Sequence, residues 1–166
     1  MAKADITAER LRALVSYDPK TGLFTRLVTT HSRSKAGSIA GCLDKSTGYI
    51  RFNLDGFLYY AHRLAWLYVH GAFPKHHIDH INGKRADNRM RNLRDVPLHV
   101  NSQNRKRANR GNSTGLLGVT KNSRTSWSAT IQALGVSKNL GSFDSPAKAY
   151  AAYLQAKREM HAGCTL

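Results

Sequence analysis

Residues 76–80 read His-His-Ile-Asp-His, three imidazoles and one carboxylate within five positions. Groups of these types, this close together, can move a proton or hold a metal ion. One arrangement is excluded at once. A zinc-protease helix needs His-Glu-x-x-His on a stable helix. Here the Glu is absent, and Pro74 and Gly83 leave fewer than ten residues for such a helix. The stretch instead reads as a strand ending in Asp79-His80, a polar loop through Asn92 and a short strand over 93–96. A helix follows from about Pro97, a residue suited to a first helical turn, and that helix carries Asn101.

The order Ile78-Asp-His-Ile-Asn-Gly83, then Asp87-Asn-Arg89, then Asn92-Leu-Arg94, then the Asn-bearing helix spans about 30 residues. It resembles the HNH endonuclease family with its ββα-metal motif. Upstream, Ala61-His-Arg-Leu-Ala-Trp66 is similar to the lead-in of phage HNH proteins of the homing-endonuclease type. The resemblance implies phosphodiester hydrolysis. That reaction needs an in-line nucleophile, a base to activate it and positive charge at the leaving oxygen. By resemblance His80 is the general base that deprotonates water, since an imidazole with pKa near ~6.5 can be neutral and accept a proton. By resemblance, too, Asp79 and Asn101 hold a single divalent metal. Mg2+ (or Mn2+) suits one carboxylate and one amide oxygen, with phosphate and water completing the shell. Asn92 matches the central Asn of the motif; with His80 it forms the expected catalytic set, tying the loop to the strand and orienting His80. The last motif position is Asn rather than His, as in many homing-type members, which disfavours zinc. His99 and Asn104 are rivals of Asn101. Asn104, three residues on, faces roughly the same side of a helix, and register favours Asn101. Asn88 reads as a loop-stabilising residue, and His76 and His77 as exposed or touching phosphate. His62-Arg63 reads as a helix N-terminal pair packing the core, with Arg63 also a candidate phosphate contact.

The charge balance points the same way. The chain has 166 residues, with 26 Lys+Arg against 10 Asp+Glu, a formal net charge of +16. A partner that is a polyanion is implied, nucleic acid before an anionic membrane surface. The excess peaks in the middle: residues 75–112 carry 10 basic and 3 acidic groups. They end in the run Arg105-Lys106-Arg107, expected to touch phosphate. The two cysteines, Cys42 and Cys164, are far apart, which excludes a disulfide framework and a CxxC zinc site. The amino end lacks an apolar signal region, and the most apolar stretch, 64–69, is too short to cross a bilayer. The expected setting is cytoplasmic, in a phage or bacterial host, with no membrane partner.

The elements that must position these residues can also be read. Residues 6–15 have helical spacing, with Thr7 as N-cap. A turn over 17–22 leads to a strand over 23–27. Residues 49–54 and 57–61 form a hairpin around Asp55-Gly56, and a helix over 62–69 closes at Gly71. Beyond a basic linker the pattern changes. Residues 115–119 start a strand, 127–133 alternate strictly, and 138–143 form a third strand. Ser145-Pro146 then opens a helix that Gly163 closes.

Gly118-Val119, Trp127-x-Ala129-x-Ile131, Leu140-Gly-x-Phe143-Asp144 and Ala147-x-x-Ala-Tyr150 carry a second resemblance over about 50 residues. They are similar to the plant APETALA-type (ethylene-response-factor) DNA-binding domain. In that family a three-stranded sheet lies in the major groove, which is ~12 Å wide. The resemblance makes Arg124, Ser128, Thr130, Gln132 and Lys138 candidate base readers and Lys121 a phosphate contact. Trp127 is either a core residue or a sugar–phosphate contact.

The expected fold is α+β. A small N-terminal α+β portion (1–74) leads into a ββα-metal motif (75–109), and a three-stranded antiparallel sheet packed on one helix follows (110–166). The expected protein is a metal-dependent endonuclease of double-stranded DNA, of homing type, acting as a monomer or homodimer. The rivals are a non-catalytic DNA-binding protein with a vestigial motif, an RNA-binding protein and a basic packaging protein.

Overall fold

The computed structural model describes residues 6–105, 108–109, 111–133, 135–161 and 163–165. Lys106 and Arg107, expected to contact phosphate, lie outside the described residues. The fold is α+β: the described residues form four α-helices, three small three-stranded sheets and one two-stranded ribbon. Contacts divide the chain into two compact units, Met1–Val96 and Pro97–Leu166. The division falls inside the stretch 75–109 that the sequence groups as one motif.

In the first unit, helix α1 (Ala8–Leu14) begins at Thr7, whose hydroxyl accepts the Arg10 amide at 3.2 Å. It ends one residue sooner than its spacing suggests. Val15 is β-branched and buried, and it opens strand β1 (Val15–Asp18), which pairs with β2 (Leu23–Arg26). A third strand, β3 (Ile39–Ala40), joins that sheet. A second sheet runs β4 (Cys42–Leu43), β5 (Ile50–Leu54) and β6 (Phe57–Tyr60). Its hairpin turns at Asp55-Gly56, both with positive φ. Helix α2 (Ala61–His70) follows and stops at the left-handed Gly71. Leu11, Phe24, Phe52, Leu64 and Ala65 share one core, and the Phe24 ring lies 4.7 Å from Tyr17 and 5.2 Å from Phe52.

The ribbon of β7 (His77–His80) and β8 (Leu93–Val96) hangs on this core by Ile78 and Leu93. Residues 81–92 bridge it and end in a 3-10 turn, Met90–Asn92. That long bridge is fastened from the first sheet. The Tyr17 hydroxyl donates to Asn88 O at 2.7 Å, and the Met90 amide to Pro19 O at 3.0 Å.

In the second unit, α3 (Leu98–Gln103) is a short helix opened by Pro97. Three strands follow in the order β9 (Val119–Lys121), β10 (Trp127–Ala133), β11 (Val136–Phe143), all antiparallel. Residues 115–118 form a turn ahead of β9 rather than its first residues. Helix α4 (Pro146–Met160) covers one face, started by Ser145, which accepts the Lys148 amide. It ends at His161 rather than Gly163. Val119, Ala129 and Ile131 pack on Ala149, Tyr153 and Ala156. Gly118 is required there: a Cβ would sit 2.1 Å from the Tyr153 ring. The chain after α4 returns to α3. Gly163 N donates to Gln103 Oε1 at 3.1 Å, and the buried Lys157 ammonium donates to Arg105 O at 2.5 Å.

Gly22 is the tightest joint between the first sheet and the bridge. It has φ +77°, and a Cβ there would lie 2.5 Å from the backbone of Asn88 and Arg89. Backbone cannot swing aside as a side-chain tip can. Gly22→Ala is therefore expected to cost about 2–4 kcal/mol, the sum of strained φ and overpacking. Urea unfolding checks this; a loss below about 0.5 kcal/mol, the usual range of an unremarkable surface substitution, would show that the joint is slack.

Candidate active site

The β7–β8 register places Asp79 opposite Arg94 and His80 opposite Leu93. Asp79 is 5% exposed, and its Oδ2 accepts two N–H groups of Arg94 at 2.9 and 2.7 Å. His80 is 4% exposed and points to the other face of the ribbon. Its Nε2 meets Asn88 Oδ1 at 3.3 Å. Its ring also stands edge-on to His62, 5.2 Å away, and 5.8 Å from Tyr49.

The bridge over 81–92 is held by its own polar groups. Asn92 donates from Nδ2 to Asp87 O at 2.7 Å and accepts the Asn82 amide at 2.9 Å. The Asp87 carboxylate accepts from Asn82 and from Arg89, whose bond to it is the main cause holding its carboxyl down at about 2. Asn92 therefore ties the loop to the strand, while the side chain that meets His80 is that of Asn88. Asn88 is buried, and its carbonyl is fixed by Tyr17. The sequence offers no signal for this choice, because both asparagines flank the same turn.

His62 packs in the core at the start of a helix, as its sequence position suggests, but nothing in the sequence sets it beside His80. It opens α2 with 8% exposure, stacked on Tyr60 and 4.9 Å from Tyr49, and its Nδ1 has no hydrogen-bond partner among the described residues. Burial chiefly, then the neighbouring His80 and Arg63, pushes its imidazole down to about 3. Burial likewise lowers His80, opposed by the Asn88 bond and by the charges of Asp79 and Asp87. Both rings are thus neutral at pH 7, as a proton acceptor must be. Arg63 lies over the Phe73 ring at 5.3 Å, while His76 and His77 are exposed.

In the second unit Asn101 is partly buried on α3. Asn104, its rival, is the C-cap, and its Oδ1 accepts the Thr165 hydroxyl at 2.5 Å. His99 is exposed. Arg105 donates to Asn109 Oδ1 at 3.0 Å.

The β10 face turned from α4 carries Thr130 and Gln132, both exposed, with Ser128 in the same alternation. Trp127 shares the opposite parity with Ala129 and Ile131 and packs on the core, so it is not an outward contact. Lys121 pairs with Trp127 and Lys138 with Ile131, so each belongs to the helix side of an edge strand, although exposed. For Lys138 the reason is a register shift between Ala129 and Thr130, which sequence alternation cannot reveal. Arg124 is exposed in the turn between β9 and β10.

Among the described residues no three His, Cys, Asp or Glu side chains gather to hold a metal ion. An all-protein zinc cage is not formed by them. The donors that remain, one carboxylate and amide oxygens, are hard and few. They fit Mg2+ or Mn2+, which keep water and take phosphate oxygens. The hairpin already balances Asp79 with a cation, the Arg94 guanidinium.

Residues 59–103 match a family model described as HNH endonuclease. The match runs from β6 to the end of α3 and includes Asp79, His80, Asn92 and Asn101. No curated protein and no solved structure matches the chain.

His62 makes the first unit acid-sensitive. Its folded pKa, about 3, lies below the ordinary 6.5, so between these values the unfolded chain binds the extra proton. Stability is complete above about pH 6.5 and falls on acidification toward 3, by up to about 1.4 kcal/mol per pH unit from this group. His62→Phe should flatten the decline measured by urea unfolding between pH 7 and 4. An unchanged slope would mean that His62 protonates freely in the fold.

Proposed function

We propose that this protein is a metal-dependent endonuclease of double-stranded DNA, of the homing type, with an APETALA-type DNA-binding unit at its carboxyl end. The observation that carries the reading is a buried, neutral histidine. His80 lies beside Asp79 on a two-stranded ribbon, within the segment that matches the HNH endonuclease model.

His80 acts as the base. Asn88 Oδ1 can only accept, so Nε2 carries the hydrogen and the lone pair resides on Nδ1. That nitrogen takes a proton from water as the water attacks the phosphorus. Asn92 keeps the loop on the strand while this happens. Asp79 and Asn101 are the residues that would hold the divalent ion, Mg2+ or Mn2+, which when bound neutralises charge at the leaving 3′-oxygen. Products carry a 5′-phosphate and a 3′-hydroxyl. One site per chain makes a monomer a nickase and lets a homodimer cut both strands. Thr130 and Gln132 present the polar sheet face to the major groove. Arg124, exposed in the turn between β9 and β10, joins that readout, and Arg63 and Arg105 contact phosphate.

A second reading is supported by one bond. The Asp79 carboxylate is already held by Arg94, as it would be in a DNA-binding protein that keeps the motif without its chemistry.

Digestion of supercoiled plasmid separates the two. The nuclease should nick or linearise DNA only with Mg2+ or Mn2+, and His80→Ala should lower the rate about 10²–10⁴-fold, the usual worth of a general base. DNA binding in a gel should survive that substitution. Binding by both proteins with cutting by neither, across several metals, would establish the second reading. Cutting at full rate by His80→Ala would remove His80 from the chemistry.

A further inference from the structure

Four arginines lie on the bridge and strand that carry the site: Arg85, Arg89, Arg91 and Arg94. Two are neutralised, Arg89 by Asp87 and Arg94 by Asp79. Arg91 is exposed and faces Pro19, Lys20 and Met90, toward the first sheet. Among the described residues, Arg85 differs from Arg89 and Arg94 in having no carboxylate, and from Arg91 in having its head held. It is exposed and has no carboxylate partner among the described residues, yet its head is held in one place.

The perch is built by the turn before β5. Arg85 Nη1 donates to Thr47 O at 2.8 Å. Its stem runs past Gly48, where a Cβ would be in ordinary van der Waals contact, 3.7 Å from Arg85 Cδ. Its guanidinium carbon lies 5.1 Å from the centre of the Tyr49 ring. The same Tyr49 ring is 5.8 Å from His80 and 4.9 Å from His62. Asp44, the acid of this turn, is engaged by Thr47, Ser46 and Arg51 instead. A positive charge is therefore fixed one aromatic ring from His80, with most of its fork of N–H donors unspent. Its charge reaches His80 and contributes to lowering that imidazole.

A structural arginine in so basic a chain gains most by finding a carboxylate. One held by a carbonyl and a ring keeps its charge for another anion. A guanidinium offers two parallel N–H groups that match two oxygens of a phosphate. We propose that Arg85 binds a backbone phosphate of the DNA strand that His80 serves, next to the bond attacked. This inference rests on the nuclease reading for the strand but not for the contact itself. Tyr49 acts as its positioning residue, setting the distance between the phosphate clamp and the base.

The test uses the full chain and a short DNA duplex of arbitrary sequence, without divalent metal, so that no cutting occurs. The dissociation constant is measured against salt for the wild type, Arg85→Ala, Arg85→Lys and the exposed control Lys35→Ala. A phosphate contact contributes about one unit to the log–log salt slope. Arg85→Ala should weaken binding about tenfold and reduce the slope by about one unit. Arg85→Lys keeps the charge and should retain the slope while losing part of the affinity. Lys35→Ala should match the wild type. Circular dichroism melting identifies a variant that has lost structure rather than a contact. A slope in Arg85→Ala equal to wild type, or a loss matched by Lys35→Ala, overturns the proposal. Failure of the wild type to cut plasmid would refute the nuclease reading separately, since this binding experiment contains no cleavage step.

Discussion

The structure of the first unit depends on keeping His80 dry and still hydrogen-bonded. A two-stranded ribbon is only marginally stable alone and cannot bury a side chain by itself. Here β7 and β8 rest on the hydrophobic core through Ile78 and Leu93, and the long bridge folds back over the ribbon's end. Burial of Asp79, His80, Asn88 and Asn92 is tolerable because each has a partner: Arg94, Asn88, His80 and Tyr17, and Asp87 with Asn82. A buried polar group without one costs about 1–3 kcal/mol, so these bonds select one loop conformation among many.

That constraint reaches outward. The bond from Tyr17 to Asn88 makes the turn after β1 part of the site's support, although it is far from it in sequence. Gly22 allows the closest approach, and Pro19 accepts the Met90 amide. The second hairpin brings Tyr49, and the start of α2 brings His62 and Tyr60, so aromatic rings line the side of His80. The rings depress its basicity and also fix its orientation. One family of contacts therefore serves both the stability of the fold and the neutral state of the ring.

The second unit is organised by different physics. Its sheet packs Val119, Ala129 and Ile131 against Ala149, Tyr153 and Ala156 of α4. The outward face of β10 is left with uncharged hydrogen-bonding groups, and the lysines stand on edge strands. The short α3 belongs to this unit because Gly163, Lys157 and Thr165 hold its far end.

Local chemistry was legible in the sequence by itself. Thr7 and Ser145 cap helices, Gly71 ends one, Asp55-Gly56 turns a hairpin, and the α+β class and the strand–loop–strand order around Asp79-His80 follow from patterns a few residues long. These features depend on neighbours in the chain, so the chain alone specifies them. Tertiary structure decided the rest. Val15 leaves its helical face because a partner strand is available, and residues 115–118 turn so that Tyr153 can pack on Gly118. A register shift sends Lys138 to the helix side, and the path of the bridge makes Asn88 rather than Asn92 the partner of His80. His62 and Arg85 gain their places only when the second hairpin closes beside the ribbon. The physical reason is the same in each case: a side chain's type is local, but its burial and its partner are set by residues tens of positions away.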